Sequence, residues 1–450
     1  MSSPASTFIN FVSGLDLNRS GLPGAGLSWL KAIRQDGIER FNGLGLPTPK
    51  MEGWKYTSLK PLEDAFFYPV NDEDGKVAID KVPSLLPNLI ESPRLVFVNG
   101  RMRPSFKIKG NLPDGVHLDH LSDLLTEAPE WVERYLGQFK DKNGLALVQL
   151  NTAMMDTGYV LRIDPGVVVE HPIEVVFIGG LTEKSVAYFP RNLIILGEEA
   201  QATLVEHHAG IGVGSYFSNT VTEVSLGAGS KFNHYKVQAE NRDAIHLGTV
   251  QALVSRDAKY DSFTLSIGGR LSRNEVLVRL EGPGAHAGVN GAYLMRGNEH
   301  CDNTTVIEHL APNTTSREIF KGVLDDQSRA VFQGRIVVHK DAQKTDGHQL
   351  CKTLLLSSGA EIDAKPELEI YADDVKCSHG ATTGQIDETA LFYLRSRGIP
   401  EALARNLLVQ SFLGEALEEV LQDDVREALI SKVLHWLPAG CFLSNEWREE

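Results

Sequence analysis

The sequence predicts a mainly β protein whose core is a right-handed parallel β-helix over roughly residues 145–385, with helical regions at 1–140 and 388–450. Three observations carry this. Valine, threonine, isoleucine, glycine and asparagine dominate from about 145 to 385, in short runs without long amphipathic helices. A turn of small or polar residues recurs through that stretch. On either side of it, apolar residues fall at helical spacing.

In the N-terminal region, Leu27, Leu30, Ile33, Ile38 and Phe41 predict a helix over Leu27–Phe41. Gly37 weakens it, and Gly43, Gly45 and Pro47 end it. A second helical stretch is expected near Leu121–Phe139. Between them, Arg94–Asn99 reads as a short strand, with Asn99-Gly100 as its turn.

The recurrent turn begins at Gly197, Gly227, Arg256, Gly282, Asp325 and Ser357, giving intervals of 30, 29, 26, 43 and 32 residues. Such periods suit a solenoid, in which each coil buries its apolar face only against its neighbours. A β-sandwich is the competing architecture for many short strands.

Beyond the β region, Leu403, Leu407, Leu408, Phe412, Leu417, Val420 and Leu421 form a helical stripe. Arg397-Gly398-Ile399-Pro400 reads as one helix stopping and another starting. Asp423 or Asp424 is placed to cap a last helix through Leu437. These helices are expected to cap the open end of the solenoid, to dock a partner, or both.

Composition excludes several functions. The net charge is −15, from 44 basic and 59 acidic residues, which argues against general nucleic-acid binding. The four cysteines, Cys301, Cys351, Cys377 and Cys441, are widely separated. They form neither a zinc pattern nor a disulfide framework, and they fit a reducing cytosol. The stretch Met1–Thr7 lacks the basic and apolar parts of a signal peptide. No apolar run is long enough to span a bilayer, so a cytoplasmic protein without a membrane partner is expected. There is no Gly-x-x-x-x-Gly-Lys-Ser/Thr phosphate loop, so no nucleotide site is expected. Nor is there a Gly-x-Ser-x-Gly elbow or a His-Glu-x-x-His helix. Of the 14 histidines, His207, His208, His234, His246, His339 and His348 fall in the strand region. Each, taken singly, reads as a surface or hydrogen-bonded histidine.

The most informative tract is Ala372–Thr382, which places Cys377 and His379 at i and i+2. Glu367–Tyr371 alternates polar and apolar as a strand does, and residues two apart on a strand share a face. A thiol and an imidazole on one face suit a soft or borderline metal such as iron. The plainer reading is a buried cysteine and a hydrogen-bonded histidine.

The stretch Lys365–Thr382, continued by Gly384-Gln385-Ile386-Asp387 and Leu391–Ile399, closely resembles the SufD branch of the SufB/SufD family of the SUF iron-sulfur cluster assembly system. Gly53-Trp54-Lys55-Tyr56-Thr57 looks like that family's N-terminal signature, and Val96–Gly100 and Leu150–Ala153 fit it too. The Trp-Lys-Tyr-Thr signature favours the SufD branch over SufB, as does the absence of cysteine before Cys301.

The resemblance implies a β-helix and a non-enzymatic scaffold subunit that partners SufB and the ATPase SufC. Thiolate and imidazole groups at a subunit interface would hold iron or sulfide while a transient cluster forms. His379 is the first candidate ligand and Cys377 the second. Cys351 is the third: SufB-type chains carry a cysteine near this place, whereas many SufD-type chains have asparagine. It is either an adaptation or an inert buried thiol. Two other readings stay open: a β-helical carbohydrate-active enzyme, and a purely structural subunit. The adjacent Asp373 and Asp374 would point to opposite faces of a strand, which disfavours the enzyme's paired carboxylates. Homodimerisation of the isolated chain is left open.

Overall fold

The computed structural model describes residues 21–70, 93–103, 112–127, 129–139, 145–180, 182–212 and 214–438. Cys441 and the N-terminal stretch read for a signal peptide lie outside them.

Strands alternate between two sheets. The first strands are short: β1 (Tyr68–Pro69), β2 (Arg94–Val98), β3 (Arg101–Met102), β4 (Val116–His120), β5 (Tyr159–Ile163), β6 (Ile173–Gly180), β7 (Val186–Tyr188) and β8 (Arg191–Leu196). Longer strands follow: β9 (Gln201–Ile211), β10 (Tyr216–Leu226), β11 (Lys231–Glu240), β12 (Ile245–Val254), β13 (Lys259–Gly268), β14 (Leu271–Leu280) and β15 (His286–Met295). The last are β16 (His300–His309), β17 (Thr315–Leu324), β18 (Arg329–Val338), β19 (Asp346–Leu355), β20 (Glu361–Ile370) and β21 (Lys376–Gly384).

One sheet runs β4-β5-β8-β10-β12-β14-β16-β18-β20, and the other runs β3-β2-β6-β9-β11-β13-β15-β17-β19-β21. Pairing is parallel except at the N-terminal pairs β2–β3 and β4–β5. The result is a β-solenoid of about eight turns, each coil adding one strand to each sheet. Two packed antiparallel sheets, the sandwich alternative, are not what forms.

The coil-to-coil turn has a local cause. Along one edge the turn's third residue is left-handed in coil after coil: Glu199 (φ 58°), Gly229 (67°), Asp257 (56°), Gly284 (74°), Asn313 (57°) and Lys344 (61°). Glycine, Asn and Asp tolerate this region best. The repeat Gly/Ser/Ala-x-x-Ala/Ser/Thr thus continues through Ala311–Thr314 and Ala342–Thr345. Those two turns were missed in the sequence. The runs at Asp325 and Ser357 lie on the opposite edge, between β17 and β18 and between β19 and β20. The 43-residue interval therefore spans a coil and a half.

The lumen is largely apolar, with Phe177, Tyr260, Tyr293, Phe320 and Phe332 buried in it. Each such side chain contributes roughly 1.5–3 kcal/mol by leaving water.

Both outer faces are covered. The helix Ser28–Leu44 runs straight through Gly37. There an added Cβ would lie 3.0 Å from Gln149 O and 3.2 Å from Ala153 N, so glycine admits the crossing helix Ala146–Met154. The expected helix near Leu121–Phe139 is two helices, Leu121–Glu127 and Glu130–Tyr135, with Pro129 as N-cap of the second. Asn99 (φ 46°) and Gly100 (φ 74°) turn the β2–β3 hairpin.

Residues 53–57 strap the N-terminal segment to the first sheet. Trp54 lies under the Arg273 guanidinium, 4.0 Å from it, and Gly53 O accepts from Gln333. Buried Thr57 donates to Asp302 at 2.5 Å, and Asp302 also pairs with Arg273. Thr57→Val should therefore cost about 1.5–3 kcal/mol, read as a lower urea midpoint at unchanged m-value. An unchanged midpoint would show that the strap adds nothing.

The C-terminal helices Glu388–Ser396, Glu401–Leu417 and Asp423–Trp436 do not cap the solenoid's end. Ala404, Val409, Leu413, Leu429, Val433 and Trp436 instead pack on the outer face of the second sheet, against Val205, Tyr235, Val237, Phe263, Leu294 and Val323. The stripe is satisfied there because that face is itself apolar. Asp423 and Asp424 lie in the last helix's first turn, and Gln422 is its N-cap.

Candidate functional site

Because the helices lie alongside the stack, its last coil is left open. Among the described residues β20 pairs only with β18 and β21 only with β19, so each presents a free edge. Pro366 within β20 is tolerable on such an edge.

The register fixes which way β21 faces. Cys377 pairs with Gly347, His379 with Gln349 and Ala381 with Cys351. Gly347, Gln349, Cys351 and Thr353 are the buried, lumen-facing residues of β19. Cys377 and His379 therefore face the mouth of the lumen. Ser378 faces outward and bonds His348 Nδ1 at 2.6 Å. Asp373 and Asp374 sit in the exposed turn between β20 and β21 rather than on a strand.

His379 is exposed, and among the described residues no side-chain hydrogen bond or ion pair fixes its imidazole. Cys377 is half-buried and packs near Ile336, Val338, Leu368 and Ala372. Burial raises its thiol pKa, as does Asp346, against a backbone hydrogen bond from Gly347. Cys351 lies one coil deeper, fully buried, 3.8 Å from the Tyr293 hydroxyl. Burial pushes its thiol up to about 11, which disfavours the thiolate needed for metal ligation. Among the described residues no three His, Cys, Asp or Glu side chains converge tightly enough to hold a metal ion. The mouth offers one free imidazole and one adjacent thiol, an incomplete ligand set on an unpaired edge.

Sequence reasoning missed the polar groups inside. In β11 the apolar Tyr235 and Val237 face outward under the helices, while His234, Lys236, Gln238 and Glu240 are buried within. Lys236 Nζ lies 2.8 Å from both His246 Nε2 and Asn274 Oδ1. Burial pulls this lysine down to about 8, with Glu206 and Glu240 opposing. Burial would raise Glu240, but His246, 3.0 Å away, and other polar neighbours hold it at about 2. Glu206 accepts from the Tyr159 hydroxyl at 2.5 Å and faces His208 at 3.5 Å and His234 at 3.6 Å. The signal was a strand whose alternate residues are all polar, but alternation does not say which face is the lumen.

A second inward group lies behind His379. Gln349 donates to Glu318 Oε2 at 2.6 Å. Burial raises the Glu318 carboxyl to about 7, while Thr305 and Gln349 pull the other way. Every other buried carboxylate among the described residues faces a guanidinium or an imidazole. Arg101 faces Asp156, Arg94 faces Glu174, Arg191 faces Glu223, Arg242 faces Glu299 and Arg273 faces Asp302. Histidines face Glu206 and Glu240.

Comparison with known proteins identifies a family. The family model described as "SUF system FeS cluster assembly, SufBD core domain" matches residues 178–412, and "SufBD protein N-terminal region" matches 17–175. The chain is 31% identical to the iron-sulfur cluster assembly protein SufD of Escherichia coli, over 90% of this chain and 93% of that one. It is 30% identical to an iron-sulfur cluster assembly SufBD family protein of Synechocystis, over 89% of this chain and 90% of that one. The SufD protein of Bacillus subtilis is 26% identical, over 90% of this chain and 93% of its own length.

Proposed function

This chain belongs to the SufBD family of iron-sulfur cluster assembly proteins, and from that premise we propose that it is a non-enzymatic SufD-type subunit pairing with a SufB-type chain and a SufC-type ATPase. The observation that carries the reading is the uncapped last coil, with His379 at its mouth. Free strand edges recruit another strand, and the end of a related solenoid could continue both sheets. The partner would then supply the ligands that His379 and Cys377 lack, so iron or sulfide would be held only where the two chains meet. Without that partner, the same edges would favour a homodimer. The reading places the complex in the cytoplasm. It agrees with the finding that no helix among the described residues is long and apolar enough to cross a membrane.

The C-terminal helices serve as the ATPase's docking surface in this reading. Phe392 is 72% exposed and Tyr393 57% exposed, both on the helix Glu388–Ser396. Deleting residues 388–450 would be a poor test, since it would uncover the apolar face beneath the helices. Phe392→Glu with Tyr393→Glu should leave folding stability within about 0.5 kcal/mol. The same pair should weaken ATPase association at least about ten-fold, as loss of an aromatic anchor does. Co-expression of the three chains followed by native mass measurement checks this. Undiminished ATPase association would remove the docking assignment, and failure of the wild-type chain to join any such complex would remove the whole reading.

A further inference from the structure

The lumen holds a set of oxygen atoms whose hydrogen bonding does not close. Among the described residues, Thr305 Oγ1, Glu318 Oε1 and Gln349 Oε1 are all buried without a directed hydrogen bond. The residues are 1%, 1% and 3% exposed. They come from three strands, β16, β17 and β19, and share one place. Gln349 bonds Glu318, and the Thr305 hydroxyl lies close enough to Glu318 to favour its charged form.

The donors present do not match these acceptors. With Glu318 ionised, its oxygens and the amide oxygen only accept, and the threonine hydroxyl has a single proton to give. Burying an acceptor without a partner costs several kcal/mol on water-to-hydrocarbon scales. Glu318 also lacks the guanidinium or imidazole that faces each of the other buried carboxylates. Opposite it, Gly334 leaves the space that Gln349 occupies: an added Cβ there would lie 1.9 Å from Gln349 Nε2. The glycine thus lets the amide lie across the lumen, where half a turn about its terminal bond exchanges nitrogen for oxygen.

We propose that Glu318, Gln349 and Thr305 form a binding site for a divalent cation inside the lumen, behind His379. A cation meets both deficits, since it supplies positive charge to the carboxylate and accepts all three oxygens as ligands. Carboxylate, amide and hydroxyl oxygens are hard donors, suited to cations such as Mn2+, Mg2+ or Fe2+ rather than to soft Cu+. On binding, the Gln349 amide turns its oxygen toward the cation in place of its present hydrogen bond. The register sets Glu318, Gln349 and His379 on successive strands of one sheet. With about 4.8 Å between neighbouring strands, the Glu318 row lies roughly 10 Å inside the mouth. A cation taken up at His379 therefore has an oxygen site two strands further in. The identity of that cation as ferrous iron in the assembly reaction rests on the proposed function; the site itself does not.

The test uses the full-length chain and Mn2+, with bound and free metal separated by electron paramagnetic resonance. Wild type should bind one Mn2+ per chain, with Mg2+ competing. Glu318→Gln should weaken binding at least about ten-fold, as expected for a lost ligand, and Thr305→Val by a smaller factor. Ser378→Ala, on the outward face of β21, should leave it unchanged. Glu318→Gln should also melt at or above the temperature of the metal-free wild type, since it replaces a buried carboxyl that has no cationic partner by a neutral amide of the same shape. That measurement shows the variant is folded. Added Mn2+ should raise the melting temperature of wild type and not of Glu318→Gln. No binding by wild type, or equal binding by Glu318→Gln, would overturn the site and mark the three oxygens as solvated by water only. Such a result with partner association intact would leave the proposed function standing. Normal Mn2+ binding by a chain that joins no partner would do the reverse.

Discussion

Replacing His379 with alanine should cut iron-sulfur cluster content at least about ten-fold on a complex of unchanged mass. The imidazole is exposed, faces the lumen mouth and has no hydrogen bond to lose among the described residues, so its removal disturbs little within the chain. Substitutions at such positions usually change folding stability by under about 0.5 kcal/mol. Its one conspicuous capacity is to donate a nitrogen ligand where the strand edge is free. Ser378→Ala is the control, since Ser378 faces the opposite side and bonds only the exposed His348. A purely structural His379 would give a different result, with complex mass and cluster content falling together. Iron and native mass measured on the same samples separate the two. Equal cluster content in wild type and His379→Ala would exclude both an essential ligand and an essential interface contact.

Much of this architecture was legible because solenoids write their period into turns. Of the first four turns, those at Gly227, Arg256 and Gly282 carry glycine or aspartate where the backbone is left-handed, and the turn led by Gly197 carries Glu199 there. Asn313 and Lys344 occupy the same position in the next two coils, in the turns Ala311–Thr314 and Ala342–Thr345. The thiol and imidazole of the last strand could be placed on one face from spacing alone. Their exposure could not, because it depends on where the C-terminal helices lie. A helical stripe says that a helix buries one face and says nothing about which surface receives it. The lumen site around Glu318 was illegible for a related reason. Its three residues are contributed by strands of both sheets, and the distances in sequence, 13 residues from Thr305 to Glu318 and 31 from Glu318 to Gln349, follow no known ligand spacing. Only the register brings them together.

Acid should destabilise the folded chain through its buried histidines, and His309 isolates the effect. Burial holds His309 at about 4, with His286 adding a smaller push in the same direction. Its ring nitrogens meet Thr314 Oγ1 at 2.8 Å and Ser316 Oγ at 3.0 Å, so the neutral ring is well accommodated. Unfolding returns the ring to its ordinary value of 6.5. Between pH 6.5 and 4 the unfolded chain therefore binds the extra proton, and stability falls as pH falls through that window. His246, also held at about 4, and His207, at about 3, act in the same direction. Glu174 and Glu318, both raised to about 7, act in the opposite one. A single substitution removes one contribution and leaves the others in place. His309→Gln keeps hydrogen-bonding capacity without a titrating ring. Relative to wild type it should gain about 2 kcal/mol between pH 7 and pH 5, whatever its own cost at neutral pH. Urea unfolding of both proteins at the two pH values measures this directly. Parallel losses in the two proteins would mean that His309 titrates in the folded chain much as it does in the unfolded one, and that the acid response lies with the other buried groups.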